Sequence, residues 1–294
     1  MSAKQKNRDS LSRFLFENQS IRGEIIHLDS VWRAVLKNAA YPPVVENILG
    51  EAMAAVALLA AVLKLDGSVT LQIQADGKLP MLVAQCTSDQ SLRGLAHWDP
   101  DVAGDSLAEI CGTGNLSITI EPKKRTERFQ GIVELGEQGL AQALEGYFAQ
   151  SEQLNTRLWL AADGELAAGM MLQEMPGSSD DPDAWNRLTQ LADTLQREEL
   201  MGLEAEEVIH RLFHEEDIRL FDPWIYSFRC TCSREKIETV LKNLGYTEVI
   251  ALQEEQGKIV SHCEFCNKEY GFDKVDVEAL FTADNQPNVP KTQH

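Results

Sequence analysis

The chain has 294 residues, enough for a well-buried core of about 150 residues with one or two smaller units. Hydrophobic residues make up 44% and charged residues 25%, which excludes disordered and fibrous classes. Forty-six acidic against 27 basic side chains give a net charge of −19, a field that repels phosphate backbones and argues against a nucleic-acid partner.

The first ten residues, "MSAKQKNRDS", are polar and no short apolar stretch with a cleavage site follows, so no secretory signal is expected and the cytoplasm is the expected compartment. "SLSRFLFENQSIRGEIIHL" reads as a short helix running into a strand, Gly23 to Leu28. Asp29 or Ser30 is then placed to cap a helix, Pro42 and Pro43 break it, and a longer helix follows. Its apolar stretch, Met53 to Leu63, is shorter than the roughly 20 residues a bilayer span needs, so a buried helix is expected and no membrane partner.

Val69, Leu71 and Ile73 alternate with Thr70, Gln72 and Gln74, the period of a half-buried strand ending at an Asp76-Gly77 turn. "LPMLVAQC", "NLSITIEP" and "RFQGIVEL" continue the pattern, and these strands are expected to form one sheet. "GLAQALEGYFAQSEQL" returns to helical spacing, and "TRLWLAADGELAAGMMLQEMP" reads as two strands around an Asp163-Gly164 turn. Residues 1–176 are therefore expected to be an N-terminal α+β core domain of mixed sheet and helix.

"PGSSDDPD", Pro176 to Asp183, is a loop by composition. From Trp185 to His214, apolar residues recur at three- and four-residue spacings opposite an acidic face that includes Glu198, Glu199, Glu204, Glu206 and Glu207. A solvated amphipathic hairpin explains this; so does a switchable segment whose apolar face is only conditionally covered. Residues 177–226 are assigned as a helical linker or switch segment, residues 227–294 as a small C-terminal domain, and the polar tail after Asp284 as disordered.

Four of the six cysteines fall in this last part, as Cys230-x-Cys232 and, after thirty residues, Cys263-x-x-Cys266. Two local claws separated by a folded excursion suit one tetrahedral zinc ion bound by Cys230, Cys232, Cys263 and Cys266. Two unrelated thiol pairs, or a thioredoxin-like motif at Cys263, are the zinc-free alternatives. His262 adjoins Cys263 and could stand in as a ligand, although four cysteines already complete the shell. Zinc would hold the sulfurs as thiolates, the form that oxidants attack.

"FRCTCSREK" and "HCEFCNKEYGF" resemble the zinc-binding end of the heat shock protein 33 family of redox-regulated bacterial chaperones. "RFLFENQSIRGEI", "YFAQSEQLNTRLWL", "AGMMLQEMP" and "HEEDIRLFDP" extend the resemblance over nearly the whole chain, with order and spacing in agreement. The resemblance implies an ATP-independent, cytoplasmic holdase, inactive when reduced and carrying one zinc per chain. Oxidation would form Cys230–Cys232 and Cys263–Cys266 disulfides, release zinc, unfold the C-terminal switch and expose a surface for unfolding client proteins. It also implies a homodimer in the oxidised state. Two residues of extended chain span about 6.6 Å, near the upper limit of disulfide reach at roughly 6.8 Å, so a Cys230–Cys232 bridge would be strained and labile.

The remaining candidates are weaker. Cys86 and Cys111 have no sequence neighbour and read as small core residues. Gly112-x-Gly114 lacks the third glycine of a dinucleotide fingerprint, and His210 and His214 lack the glutamate of a zinc protease. No catalytic constellation is visible, and a non-enzyme is expected. A thiol-disulfide oxidoreductase using Cys263 and Cys266, or a constitutive zinc-ribbon adaptor, remain the competing readings.

Overall fold

A computed structural model describes residues 8–63, 66–104, 106–124, 128–136, 139–177 and 181–282. The chain divides into two compact units, Met1–Arg229 and Cys230–His294.

The first unit opens with a hairpin where the sequence reading expected a helix: β1 (Ser10–Phe16) pairs antiparallel with β2 (Ile21–Leu28), from Ser10↔His27 to Phe16↔Ile21. Leu11, Phe14 and Leu15 mimic helical spacing because β1 buries both faces, Leu11 in one core and Phe14 and Phe16 in another. A Cβ on Gly23 would lie 2.0 Å from the Phe14 ring, so only glycine leaves room for that ring across the strands.

Helix α1 (Ser30–Leu36) has Asp29 at its cap position, but that side chain makes no capping bond. The Asp9 carboxylate accepts instead from the amides of Asp29, Ser30 and Val31 at 2.8, 3.1 and 2.9 Å. It satisfies three of the amide donors that a helix start leaves open. Pro43 opens α2 (Pro43–Leu63), as its fixed φ and missing N–H allow. At 21 residues and mean hydropathy 1.7, α2 is longer than its most apolar stretch suggested and passes the length and composition test for a membrane span. Seventy-two per cent of that window is buried inside the unit, where α2 packs on strands of both large sheets.

One of these sheets collects β3 (Gly67–Ala75), β4 (Met81–Thr87), β5 (Ser91–His97), β6 (Gly114–Pro122) and β7 (Phe129–Glu134), with α3 (Leu107–Cys111) inserted before β6. The four strands expected to share a sheet do so, and β5 is an addition. Gly94 breaks its apolar pattern, yet it is the site where the Met53 sulfur of α2 approaches within 2.6 Å of where a Cβ would be. Next, α4 (Leu140–Tyr147) continues as a π-turn over Phe148–Glu152 into the hairpin β8 (Thr156–Ala162) and β9 (Ala167–Glu174). Asp163 shapes the hairpin turn by accepting from the amides of Glu165 and Leu166 at 2.8 and 2.9 Å.

The expected helical hairpin is three short helices, α5 (Ala184–Ala192), α6 (Arg197–Gly202) and α7 (Ala205–Phe213). Glu199 and Glu207 accept from the amides of Gln196 and Glu204, each at 2.9 Å, so α6 and α7 each begin at a capping pair. Short strands β10 (Ile218–Leu220), β11 (Trp224–Ile225) and β12 (Ser227–Phe228) close the unit. The sheet orders are β10-β1-β2-β9-β8, with β11 also on β1, and β12-β5-β4-β3-β6-β7. Pairing is antiparallel throughout except for β12 on β5.

The β1-β2-β9-β8 sheet thus has an apolar layer on each face. One joins the core around α2; the other, Phe14, Phe16, Ile21, Ile25, Met170 and Leu172, is covered by Leu188, Leu200, Val208, Leu212 and Phe213 of α5–α7. The Phe213 ring meets Phe16 edge-on with centroids 5.1 Å apart. Each such side chain contributes about 1.5–3 kcal/mol by leaving water.

The second unit comprises α8 (Arg234–Leu244), α9 (Tyr246–Gln256), the hairpin β13 (Ile259–His262) and β14 (Glu269–Phe272), and α10 (Lys274–Thr282). Its buried core among the described residues is Leu241, Val249, Ile259, Tyr270, Phe272, Val277 and Leu280. A core this small supplies no more than about 3–5 kcal/mol. Residues 178–180 of the expected loop and the tail after Asp284 lie outside the described residues.

Candidate metal centre

Cys230 and Cys232 lie in the extended stretch between β12 and α8. Ser233 caps α8 by accepting from the Lys236 amide at 3.4 Å, and Lys236 Nζ donates back to the Thr231 carbonyl at 2.6 Å. The single residue between the two cysteines is thereby pinned by the first turn of the helix. Cys263 and Cys266 occupy the loop joining β13 to β14. The Asn267 amide donates to the Cys263 carbonyl at 2.7 Å and the Cys263 amide to the Lys268 carbonyl at 3.0 Å, while Asn267 takes the left-handed conformation, φ 53°, that Asn tolerates.

All four sulfurs lie within 4.8 Å of one another, with Cys230 and Cys263 Sγ 3.6 Å apart and Cys232 and Cys266 Sγ 3.4 Å apart. Around a zinc ion with bonds of about 2.3 Å, tetrahedral sulfurs sit about 3.8 Å apart. Backbone hydrogen bonding from Phe265 and Cys266 acts to lower the Cys263 thiol, and from Lys268 the Cys266 thiol. Such hydrogen bonds favour thiolates, the form a metal requires.

Electrostatics shows why a cation suits the cluster. Burial pushes Cys266 up to about 12 and raises Cys263. Burial also acts to raise Cys232, but hydrogen bonds from the Tyr270 hydroxyl and the neighbouring cysteines outweigh it and bring this thiol down to about 7. One proton therefore leaves easily while those of Cys263 and Cys266 are held, chiefly because burial penalises further thiolate charge in this small volume. A divalent cation removes that penalty, so the donor set fits zinc.

The structure brings together all four cysteines singled out in the sequence. His262 is exposed on β13 and stands outside the cluster of metal-ligand atoms. Tyr270, whose hydroxyl donates to Cys232 Sγ at 3.1 Å, escaped the sequence reading because 38 residues separate the two. Cys86 and Cys111 are core residues as expected, and burial pushes their thiols up to about 12 and 11. Gly112 adopts φ 62° and Gly77 packs on the Cys111 carbonyl, so the "CGTGN" segment serves a tight turn beside Asp76. His210 and His214 are exposed on and just after α7.

Fold and site together define a class: an α+β core whose second apolar sheet face lies under short helices, followed by a small unit built on four converging thiols that could hold a metal ion. The family model described as "Hsp33 protein" matches residues 9–273. The chain belongs to the Hsp33 chaperone family. It is 49% identical over 288 residues to a 33 kDa chaperonin of Nitrosococcus oceani, covering 98% of this chain and 99% of that one. It is 47% identical to a 33 kDa chaperonin of Methylobacillus flagellatus, covering 94% and 95%. The crystal structure of a 33 kDa chaperonin (heat shock protein 33 homolog) from Thermotoga maritima shares the fold, with a TM-score of 0.81 at 23% identity over 94% of this chain and all of that one.

Proposed function

We propose that this protein is a redox-regulated, ATP-independent holdase of the cytoplasm, with residues 1–176 as client-binding core, 177–226 as switch and 227–294 as sensor. The observation that carries the reading is the convergence of Cys230, Cys232, Cys263 and Cys266 in a unit whose described residues bury a core of seven apolar side chains. A bound zinc ion would cross-link the two claws and supply on the order of 10–16 kcal/mol of folding free energy. That exceeds what so small a core provides.

Peroxide takes two electrons from a cysteine pair: two thiolates become one disulfide and the peroxide becomes two hydroxide ions. Disulfide sulfurs no longer serve as thiolate ligands, so oxidation of Cys230–Cys232 and Cys263–Cys266 removes the cross-link and the second unit unfolds. Only Arg229 separates Cys230 from the two-residue strand β12, and its amide donates to the Leu92 carbonyl at 3.2 Å. Unfolding therefore begins one residue from a short edge strand, with only β10 and β11 between it and α7. Release of α5–α7 would uncover Phe14, Phe16, Ile25 and Met170 as a client surface, while the net charge of −19 keeps the loaded protein in solution. Clients are unfolding proteins rather than nucleic acid or membrane, and the oxidised form is a homodimer.

The test follows zinc release with a chromogenic chelator while peroxide is added to reduced protein, and assays each sample for suppression of aggregation of a heat-unfolded client. Loss of one zinc per chain in step with suppression, reversed by reductant, is the expected result. Zinc that stays bound, or leaves with no gain in suppression, overturns the switch in favour of a constitutive adaptor; catalytic turnover of disulfides would mark an oxidoreductase.

A further inference from the structure

One hydrogen bond to a sulfur joins the two halves of the cluster. The Tyr270 hydroxyl donates to Cys232 Sγ at 3.1 Å, onto a claw carried on extended chain. Tyr270 stands on β14, the strand that leaves the Cys263–Cys266 loop, opposite Ser261 on β13. Its side chain belongs to the small core, with 7% of the residue exposed, and Lys268 Nζ lies 5.2 Å from the ring centroid. A buried ring thus holds a hydroxyl that reaches from the hairpin of one claw to a sulfur of the other.

We infer that Tyr270 is a positioning residue of the cysteine cluster, fixing the Cys232 sulfur against the Cys263–Cys266 loop so that the two claws form one site. This rests on the metal-binding reading above. Hydrogen-bond partners just outside a ligand set typically change metal affinity 10–100-fold when removed, because they orient the ligand and tune its charge. Tyr270 can do both, since its hydroxyl is anchored independently of the segment carrying Cys232.

The test compares the full-length protein with Tyr270→Phe, which keeps the ring and its packing, and with a variant carrying 4-aminophenylalanine at 270, which restores a donor. Tyr246→Phe is the control, since that ring meets Phe281 edge-on, 5.3 Å between centroids, in the same unit. Zinc affinity is read by competition with a chelator, and the thiolate environment by the sulfur-to-metal charge-transfer bands of the cobalt(II)-loaded protein. The inference requires Tyr270→Phe to bind zinc about 10-fold more weakly, with shifted cobalt bands and an unchanged circular dichroism spectrum in excess metal. The 4-aminophenylalanine variant should recover both and the control should move neither. Wild-type and Tyr270→Phe proteins with equal affinities and superimposable cobalt bands would overturn the inference alone. A wild-type protein without tetrathiolate cobalt bands would overturn the metal-binding reading and the inference with it.

Discussion

His27 and Glu51 are two residues of the first unit whose burial moves their titration in opposite senses. His27, on β2, is 4% exposed and its Nε2 lies 2.8 Å from the Leu200 carbonyl at the end of α6. Burial lowers its pKa below the usual 6.5, opposed by the Leu200 hydrogen bond; Arg8 lowers it further and Glu204 raises it, while its register partners Ser10 and Ala168 are uncharged. A depressed histidine pKa gives stability that is complete above about pH 6.5 and is lost as pH falls through the folded-state value. We expect binding of an apolar dye to the reduced protein to rise in acid, and His27→Gln to flatten that rise; an unaltered profile would show that His27 does not hold α6. Glu51, on α2, is pushed up to about 7 by burial against a partly compensating Arg197. Its contribution is complete below about pH 4.5 and is lost as pH rises through 7, so Glu51→Gln should raise the melting temperature at pH 8 and leave it nearly unchanged at pH 5. The gain should be about 2 kcal/mol, the low side of what the shift implies because Glu51 lines a cleft and keeps some contact with water.

Helices α5, α6 and α7 are short, and their order depends on the sheet beneath them, since isolated helices of this length are marginal. Phe213 is the largest of their buried side chains, its ring in contact with Phe14 and Phe16. Phe213→Ala should cost about 3–5 kcal/mol of docking and packing. The expected outcome is faster hydrogen exchange across 184–213 and measurable client holding without oxidant; full protection with no holding would separate these helices from the client surface. Their apolar period and acidic face were legible in the sequence, and so was the convergence of the cysteines, because both are encoded in local spacing. The breaks between helices were encoded too, in the Gln196–Glu199 and Glu204–Glu207 pairs, but a continuous apolar stripe masked them. Strand β1 hides its period because burial on both faces erases alternation, and β5 hides because Gly94 answers to the Met53 sulfur of another element. Asp9 capping α1 from 20 residues away, like Tyr270 at Cys232, is a contact that only the folded chain defines.

Each of the two units has its own core, and their stabilities should separate when metal is removed. Chelation of the reduced protein should abolish exchange protection through 230–282 while the amides of β3, β4 and β6, at the centre of a six-stranded sheet, stay protected. Protection of 230–282 that survives chelation would mean the small apolar core is sufficient by itself. The units are joined by one peptide bond, between Arg229 and Cys230, and the Arg229 side chain is 64% exposed. If the proposed switch operates, its reversibility would hang on a bond that a trypsin-like protease recognises. A single cut there during the unfolded interval would part the core from every cysteine that reductant could restore, turning a transient response into a permanent one that ends only when the fragment is degraded.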